Sequence, residues 1–97
     1  MPYITQEQRD QLDPAIEDLA IALVKIKVNG LAVLPSAGMY NYIITRLLDT
    51  GYQNKLFPSY ERMNTVVGIL ECVKQEYYRR VAVPYEEIKK NENGDVY

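Results

Sequence analysis

Tyrosine and arginine side chains are the residues of this sequence best suited to recognising a ligand. The chain has nine tyrosines but only one phenylalanine, no tryptophan and no histidine. A tyrosine ring is flat and apolar while its hydroxyl needs a partner, so tyrosines suit surfaces that are partly dry and partly wet. The rings cluster beside cations and amides in segments 40–46 and 77–80. This chemistry favours recognition over catalysis.

The first cluster lies on a predicted helix. Tyr42 and Arg46 are four residues apart, and so are Asn41 and Thr45. Because residues four apart are neighbours on a helix surface, a ring beside a guanidinium would form a stacking platform, with an amide and a hydroxyl next to it. The alternative is an ordinary helix–helix contact that contains one polar row.

The second cluster lies at the C-terminal end of the third predicted helix. Tyr78, Arg79 and Arg80 are consecutive there, and Tyr85 follows just after the predicted end. Neighbouring arginines can hold an anion from two sides through their planar guanidinium groups. Glu76 precedes Arg80 by four residues, so we expect an ion pair that partly neutralises Arg80. The alternative is ordinary positive charge at a helix C-terminus, which the helix dipole favours.

Residue types that support catalysis are scarce. Without histidine the usual proton shuttle near neutral pH is missing, and Cys72 has no imidazole to activate it, so Cys72 is expected to be a small core residue. Asp13, Glu17 and Asp18, like the pair 86–87, are expected near helix starts, where the dipole favours negative charge. We therefore expect no enzyme activity, no cofactor and no metal, although acid–base catalysis by tyrosine or glutamate stays open.

Length and charge limit the class of protein. A chain of 97 residues predicts one helical domain over residues 1–97. Its net charge of −2 argues against a protein that coats nucleic acid. The longest apolar run, 31–35, is far shorter than the roughly 20 residues that span a bilayer, and the N-terminus lacks a signal-peptide pattern. With a single cysteine, the expected location is the cytoplasm, without membrane binding.

Capping signals predict where the first helix begins and ends. Thr5 and Gln8 form a capping box, which predicts a short helical turn over residues 6–12. Asp13 and Pro14 predict that the helix then restarts, with Asn29-Gly30 as its stop. Segment 25–34 also has the pattern of a small hairpin, so a helix end and a hairpin are both kept open, with the helix favoured.

Two further helices are predicted. Ser36 is expected to cap the second, and Gly51 to end it in a left-handed conformation. The third begins after Ser59 and runs over residues 60–82, because Pro84 disfavours helical geometry in the residue before it. Residues 83–97 are then expected to form a turn and an extended tail.

Apolar residues recur at helical spacing in all three helices, so each is expected to bury one face. The fold class is predicted as all-α, a small three-helix bundle with a short N-terminal helical turn and an extended C-terminal tail. A bundle of this size has a shallow core. Its tyrosine-rich faces are therefore expected either to stay partly exposed or to pack against another copy. A homo-oligomer is expected, because a pocket at a subunit boundary can enclose a ligand that one small bundle cannot. The predicted stripes contain Ile16, Leu19, Ala20, Leu23 and Val24, then Tyr40, Ile43, Ile44, Leu47 and Leu48, and finally Met63, Val66, Val67, Leu70, Val73, Tyr77 and Val81.

Several segments together resemble a family of small uncharacterised proteins encoded mainly by tailed bacteriophages, prophages and related bacterial elements. The resemblance rests on residues 1–4, 41–48, 68–80, 84–86 and 92–97. It covers most of the chain except the connector 30–38, which is longer here than is usual in the family. The family carries no established function. By analogy, small phage proteins are often accessory factors that bind a host protein or sequester nucleotide signals of bacterial immunity.

Chemistry and resemblance together give the leading hypothesis, a non-enzymatic binding module that captures an anionic, aromatic ligand such as a signalling nucleotide at a subunit boundary. The arginines would hold phosphates, the tyrosines would stack on a base, and the amide and hydroxyl would bond polar edges. Alternatives are an adaptor or inhibitor of a host protein and a minor structural protein of the phage particle. The predicted ligand-binding residues are Asn41, Tyr42, Thr45, Arg46, Tyr78, Arg79, Arg80 and Tyr85.

Overall fold

The protein is mostly helical, with a two-stranded sheet between its first two helices. A computed structural model describes residues 2–53 and 55–97. The described chain forms two compact units, Tyr3–Phe57 and Pro58–Tyr97. The helical fold class and the three predicted helices are confirmed, and a single domain over residues 1–97 stays a prediction.

Helix α1 spans Gln6–Val24 and begins with the predicted capping box. The Gln8 N–H donates to the Thr5 hydroxyl at 3.2 Å, and the Thr5 N–H donates to the Gln8 side chain at 3.1 Å. The predicted break and restart at Asp13 are wrong, because α1 continues through Pro14. A proline removes one backbone hydrogen bond, and the other backbone bonds of a 19-residue helix with a capping box at its start outweigh that loss. The acidic residues at 13, 17 and 18 therefore lie inside α1 rather than in its first turn.

The segment after α1 is a hairpin. The sequence left a hairpin and a longer helix open and favoured the helix, and the structure shows the hairpin. Strand β1 (Lys27–Val28) pairs antiparallel with β2 (Leu31–Ala32). The turn residues Asn29 and Gly30 have φ values of 53° and 77°. Two left-handed residues in succession are what a two-residue turn of the primed type requires, and Asn-Gly adopts it at low cost.

Helix α2 spans Ala37–Tyr52 and starts at the predicted cap, since the Met39 N–H donates to the Ser36 hydroxyl at 3.2 Å. Its predicted end is wrong. Gly51 stays helical, and the left-handed residue is Gln53, whose N–H donates to the Asp49 carbonyl at 2.7 Å. Glycine permits a left-handed end without enforcing one, so hydrogen bonds of the last turn decide where the helix stops.

The third helix is longer than predicted. It runs as α3 (Tyr60–Tyr77), a π-helical segment (Tyr78–Ala82) and α4 (Val83–Asn93), a length of roughly 50 Å. The prediction that Pro84 stops the helix and that residues 83–97 form a turn and a tail is wrong. Val83 donates to the Tyr78 carbonyl five residues back, and this wider turn accommodates the proline that follows. The extended part begins only at Gly94.

Few side chains are buried. Over residues 2–53 and 55–97, Leu23 is the one buried residue, with 7% of its surface exposed. Tyr40 and Leu70, from the stripes predicted to be buried, are 50% and 42% exposed, and Cys72 is exposed rather than a core residue. The apolar stripes are present at helical spacing, but most of their side chains are exposed.

Helices α1 and α2 do not pack along their lengths. In the described part of Tyr3–Phe57, no Cα atom of α1 lies within 8 Å of a Cα atom of α2. Packed helices have axes about 8–10 Å apart, which brings Cα atoms closer than this. The hairpin joins the two helices and leaves a groove between them.

No helix in the described ranges has both the length and the apolar character needed to cross a membrane.

Candidate binding site

The predicted stacking pair on α2 is present. The Arg46 Nη1 donates to the Tyr42 hydroxyl at 3.1 Å, and the Arg46 guanidinium carbon lies 5.8 Å from the ring centroid. Tyr42 is 62% exposed. Arg46 forms no ion pair with any described residue, so most of its five N–H donors remain available to an anion. Asn41 and Thr45 are exposed one turn apart on the same helix.

Arg79 and Arg80 differ in their ion pairs, which was not predicted. The expected pair between Glu76 and Arg80 is wrong: Arg79 binds both carboxylate oxygens of Glu76, at 2.8 and 3.0 Å. Residues three and four apart on a helix are both within reach of a carboxylate, and side-chain geometry decides between them. Arg80 is exposed and has no ion pair within the described chain. Of these two arginines, Arg80 has the charge free for a ligand.

Tyr78 bonds a carboxylate eight residues further along the chain. Its hydroxyl lies 3.1 and 3.3 Å from the two carboxylate oxygens of Glu86. In a regular α-helix Glu86 would be about 80° around the axis from Tyr78. The π turn inserts about one residue, so that eight residues complete two turns and both side chains share a face. The hydrogen bond to Glu86, reinforced by its negative charge, raises the pKa of Tyr78.

Tyr85 forms a cation–π contact with Lys89, whose Nζ lies 5.7 Å from the Tyr85 ring centroid. Tyr85 is 60% exposed. The ring and the cation are four residues apart, as Tyr42 and Arg46 are in α2, but the Lys89 ammonium also pairs with Glu92 at 3.1 Å. The structure thus gathers four predicted site residues on α2 and four along the helix of Pro58–Tyr97, each set within its own unit.

The stability of the long helix should depend on pH through Tyr78. The pKa of Tyr78 is raised in the folded protein, so the hydrogen bond to Glu86 stabilises the fold fully below the pKa of an unfolded tyrosine, about 10. This stabilisation is lost as the pH rises through the pKa of Tyr78 in the folded protein. Thermal unfolding of wild type and Tyr78→Phe, followed by circular dichroism, should show a difference that changes above about pH 10. Tyr77→Phe, next to it in the helix, is the control. A Tyr78→Phe difference that stays constant through this range would contradict the bond to Glu86.

Sequence reasoning missed the α1–α2 groove, an open cavity of about 490 Å³ within Tyr3–Phe57. Leu19, Leu23 and Ile26 line one side, and Met39, Tyr42 and Ile43 line the other. Apolar residues spaced three and four apart on each side of a short connection were the available signal. The spacing shows which faces are apolar but not whether they close on each other. Tyr42 lines the groove and also carries Arg46.

Comparison with known proteins gives a family and no function. No curated protein and no solved structure matches this chain. A family model with the description "Domain of unknown function" matches residues 1–96, nearly the whole length. This agrees with the resemblance of the sequence to an uncharacterised family. The chain belongs to the family described as a domain of unknown function, DUF6899.

Proposed function

We propose that this protein is a non-enzymatic, homo-oligomeric binding module that captures an anionic, aromatic small ligand such as a signalling nucleotide. The observation that carries the proposal is the pair of Tyr42 and Arg46. An exposed ring would stack on a base, and a guanidinium without a carboxylate partner among the described residues would bind a phosphate beside it. Flat rings and planar cations recognise such a ligand without any chemical step.

The other predicted residues have distinct roles in this proposal. Arg80 offers a second unpaired charge, whereas Arg79 is already neutralised by Glu76 and contributes less to phosphate binding. Tyr78 and Tyr85 are exposed rings along the same helix. On α2, the amide at position 41 and the hydroxyl at position 45 would bond the polar edges of a base.

The site would be completed by a second copy of the chain. On one chain the platform of Tyr42 and Arg46 is open, whereas small-ligand sites usually enclose most of the ligand surface. Resemblance to proteins of tailed bacteriophages and prophages supports a role in the cytoplasm of a bacterial host. There, a small protein present in excess could lower the free concentration of an immune signal simply by binding it.

Calorimetry with cyclic nucleotides and ADP-ribose-type compounds tests the proposal. At least one of them should release heat with the wild-type protein, and Arg46→Gln should weaken that affinity by about 10- to 100-fold, as expected for losing a charge-assisted hydrogen bond. Lys55→Gln removes the same charge elsewhere in Tyr3–Phe57 and should leave the affinity nearly unchanged. No heat from any compound at high protein concentration would contradict the proposal, and so would equal weakening by both variants.

An adaptor or inhibitor of a host protein is the second candidate function. It is favoured by large exposed side chains in each unit: Phe57 at the end of Tyr3–Phe57 is 60% exposed, and Tyr60 at the start of α3 is 87% exposed. Aromatic residues of this kind are frequent hot spots of protein interfaces. A stoichiometric host partner recovered with wild type, and lost with Tyr60→Ser, would favour this function over ligand capture.

A further inference from the structure

The residues that line the α1–α2 groove all belong to Tyr3–Phe57, so the groove is a feature of that unit alone. One of them, Tyr42, also connects the groove to the proposed anion site. The Arg46 Nη1 donates to the Tyr42 hydroxyl at 3.1 Å, which holds the guanidinium at the edge of the groove. Arg46 forms no ion pair with any described residue. An apolar groove and an available cation are therefore adjacent within one unit.

Inside the groove the lining offers hydrocarbon and few hydrogen bonds. Ser36 and Tyr42 are the described lining residues with a polar side chain. The Ser36 hydroxyl oxygen already accepts the Met39 N–H at 3.2 Å, and the Tyr42 hydroxyl accepts from Arg46. A polar group placed deep in the groove would give up hydrogen bonds to water and find none in return. The large side chains of the remaining lining are apolar: Leu19, Leu23, Ile26, Met39 and Ile43.

We propose that the ligand of Arg46 carries a short hydrocarbon body that lies in the α1–α2 groove, so that the protein binds a small amphiphilic anion such as an alkyl or aryl phosphate. The inference rests on the proposed function for the anion site and narrows the class of ligand. The phosphate would accept from the Arg46 guanidinium and from the Tyr42 O–H, and the hydrocarbon would pack between α1 and α2. A purine or pyrimidine base fits the groove less well, because its polar edges would face apolar side chains.

A free small molecule fits this site better than a lipid of a bilayer. The groove has a volume of about 490 Å³, within the roughly 300–1,000 Å³ of small-ligand sites. Helix α1, one wall of the groove, carries five carboxylates and one arginine, whereas helices that lie on membranes are rich in lysine and arginine. Vesicles of phosphatidylcholine and phosphatidate should therefore leave the protein in the supernatant when they are sedimented. Co-sedimentation of the wild-type protein would overturn the choice of a free ligand.

The length of the hydrocarbon is the first property to vary. Calorimetry of the whole chain with butyl, hexyl and octyl phosphate should give an affinity that rises about two- to fourfold with each added methylene, because each methylene leaves water for an apolar groove. Inorganic phosphate should bind at least about tenfold more weakly than butyl phosphate. Equal affinities across the series would show that the hydrocarbon stays outside the groove, and would overturn the inference.

Two pairs of variants locate the two ends of the ligand. Leu19 lines the groove, whereas Ile21 lies about 200° further around the same helix. They are 43% and 48% exposed, so neither substitution removes a buried side chain. Leu19→Asn should lower the affinity for octyl phosphate at least about fivefold, and Ile21→Asn should leave it unchanged. Arg46→Gln should lower it at least about tenfold, with Lys55→Gln as the matched control. Equal effects within either pair would overturn the inference.

The inference and the proposed function can fail separately. Nucleotides that release heat, together with alkyl phosphates whose affinity does not respond to chain length, would overturn the inference and leave the proposed function standing. Octyl phosphate binding that depends on Leu19 and Arg46, with no heat from any nucleotide, would support the inference and contradict capture of a signalling nucleotide.

Discussion

Replacing Leu23 by alanine should lower the free energy of unfolding by about 2–5 kcal/mol, the largest loss expected from any single truncation in this chain. Leu23 is the one buried side chain among the described residues, and it lines the α1–α2 groove near the end of α1. Removing its branched end takes away the apolar surface that this residue buries, and α1 and α2 are too far apart to close the space it leaves.

Urea unfolding followed by circular dichroism measures this loss, with all proteins at one concentration because assembly contributes to stability. Val24→Ala is the matched control, since Val24 is the next residue of the same helix and is 68% exposed. Its effect should stay within about 0.5 kcal/mol. Similar losses for Leu23→Ala and Val24→Ala would show that the end of α1 has no packed core around Leu23.

Replacing Pro14 by alanine should raise the free energy of unfolding by about 1–3 kcal/mol. Pro14 lies inside α1, where it lacks the N–H that would bond the Asp10 carbonyl and where its ring crowds that carbonyl. Proline is about 3 kcal/mol less favourable than alanine in a helix interior. Alanine gives the unfolded chain more freedom than proline does, which reduces the gain by about 0.4–1 kcal/mol. The same urea experiment measures the gain.

Pro84→Ala is the matched control for this change. The π segment before α4 already accommodates Pro84, so the gain should be below about 1 kcal/mol. Restoring a regular α-helical register should also separate Tyr78 from Glu86, which would return the pKa of Tyr78 towards its ordinary value. A gain from Pro84→Ala as large as that from Pro14→Ala would mean that the π turn relieves no strain.

The predicted site could be read in part from spacing. Tyr42 and Arg46 meet because four residues make nearly one helical turn, a relation that is already present in the sequence. Arg79 and Arg80 could not be told apart in this way, since Glu76 is within reach of either. The bond between Tyr78 and Glu86 depends on the π turn, for which sequence periodicity offers no rule. The pair of Tyr42 and Arg46 was accessible to prediction, whereas the choice between two arginines within reach of one carboxylate and the contact that depends on helix register were not.

Hydroxyl caps act over three or four residues, so the starts of α1, α2 and α3 follow from the amino acids themselves. Asn29-Gly30 allowed a hairpin turn, but the helical spacing before it favoured a helix, and only the structure decided for the hairpin. Periodicity likewise shows which face of each helix is apolar. Whether prolines interrupt a helix, and whether apolar faces meet, depends on the balance of many backbone bonds and on distances between elements remote in the chain. Those distances are properties of the folded protein, in which α1 and α2 do not pack along their lengths.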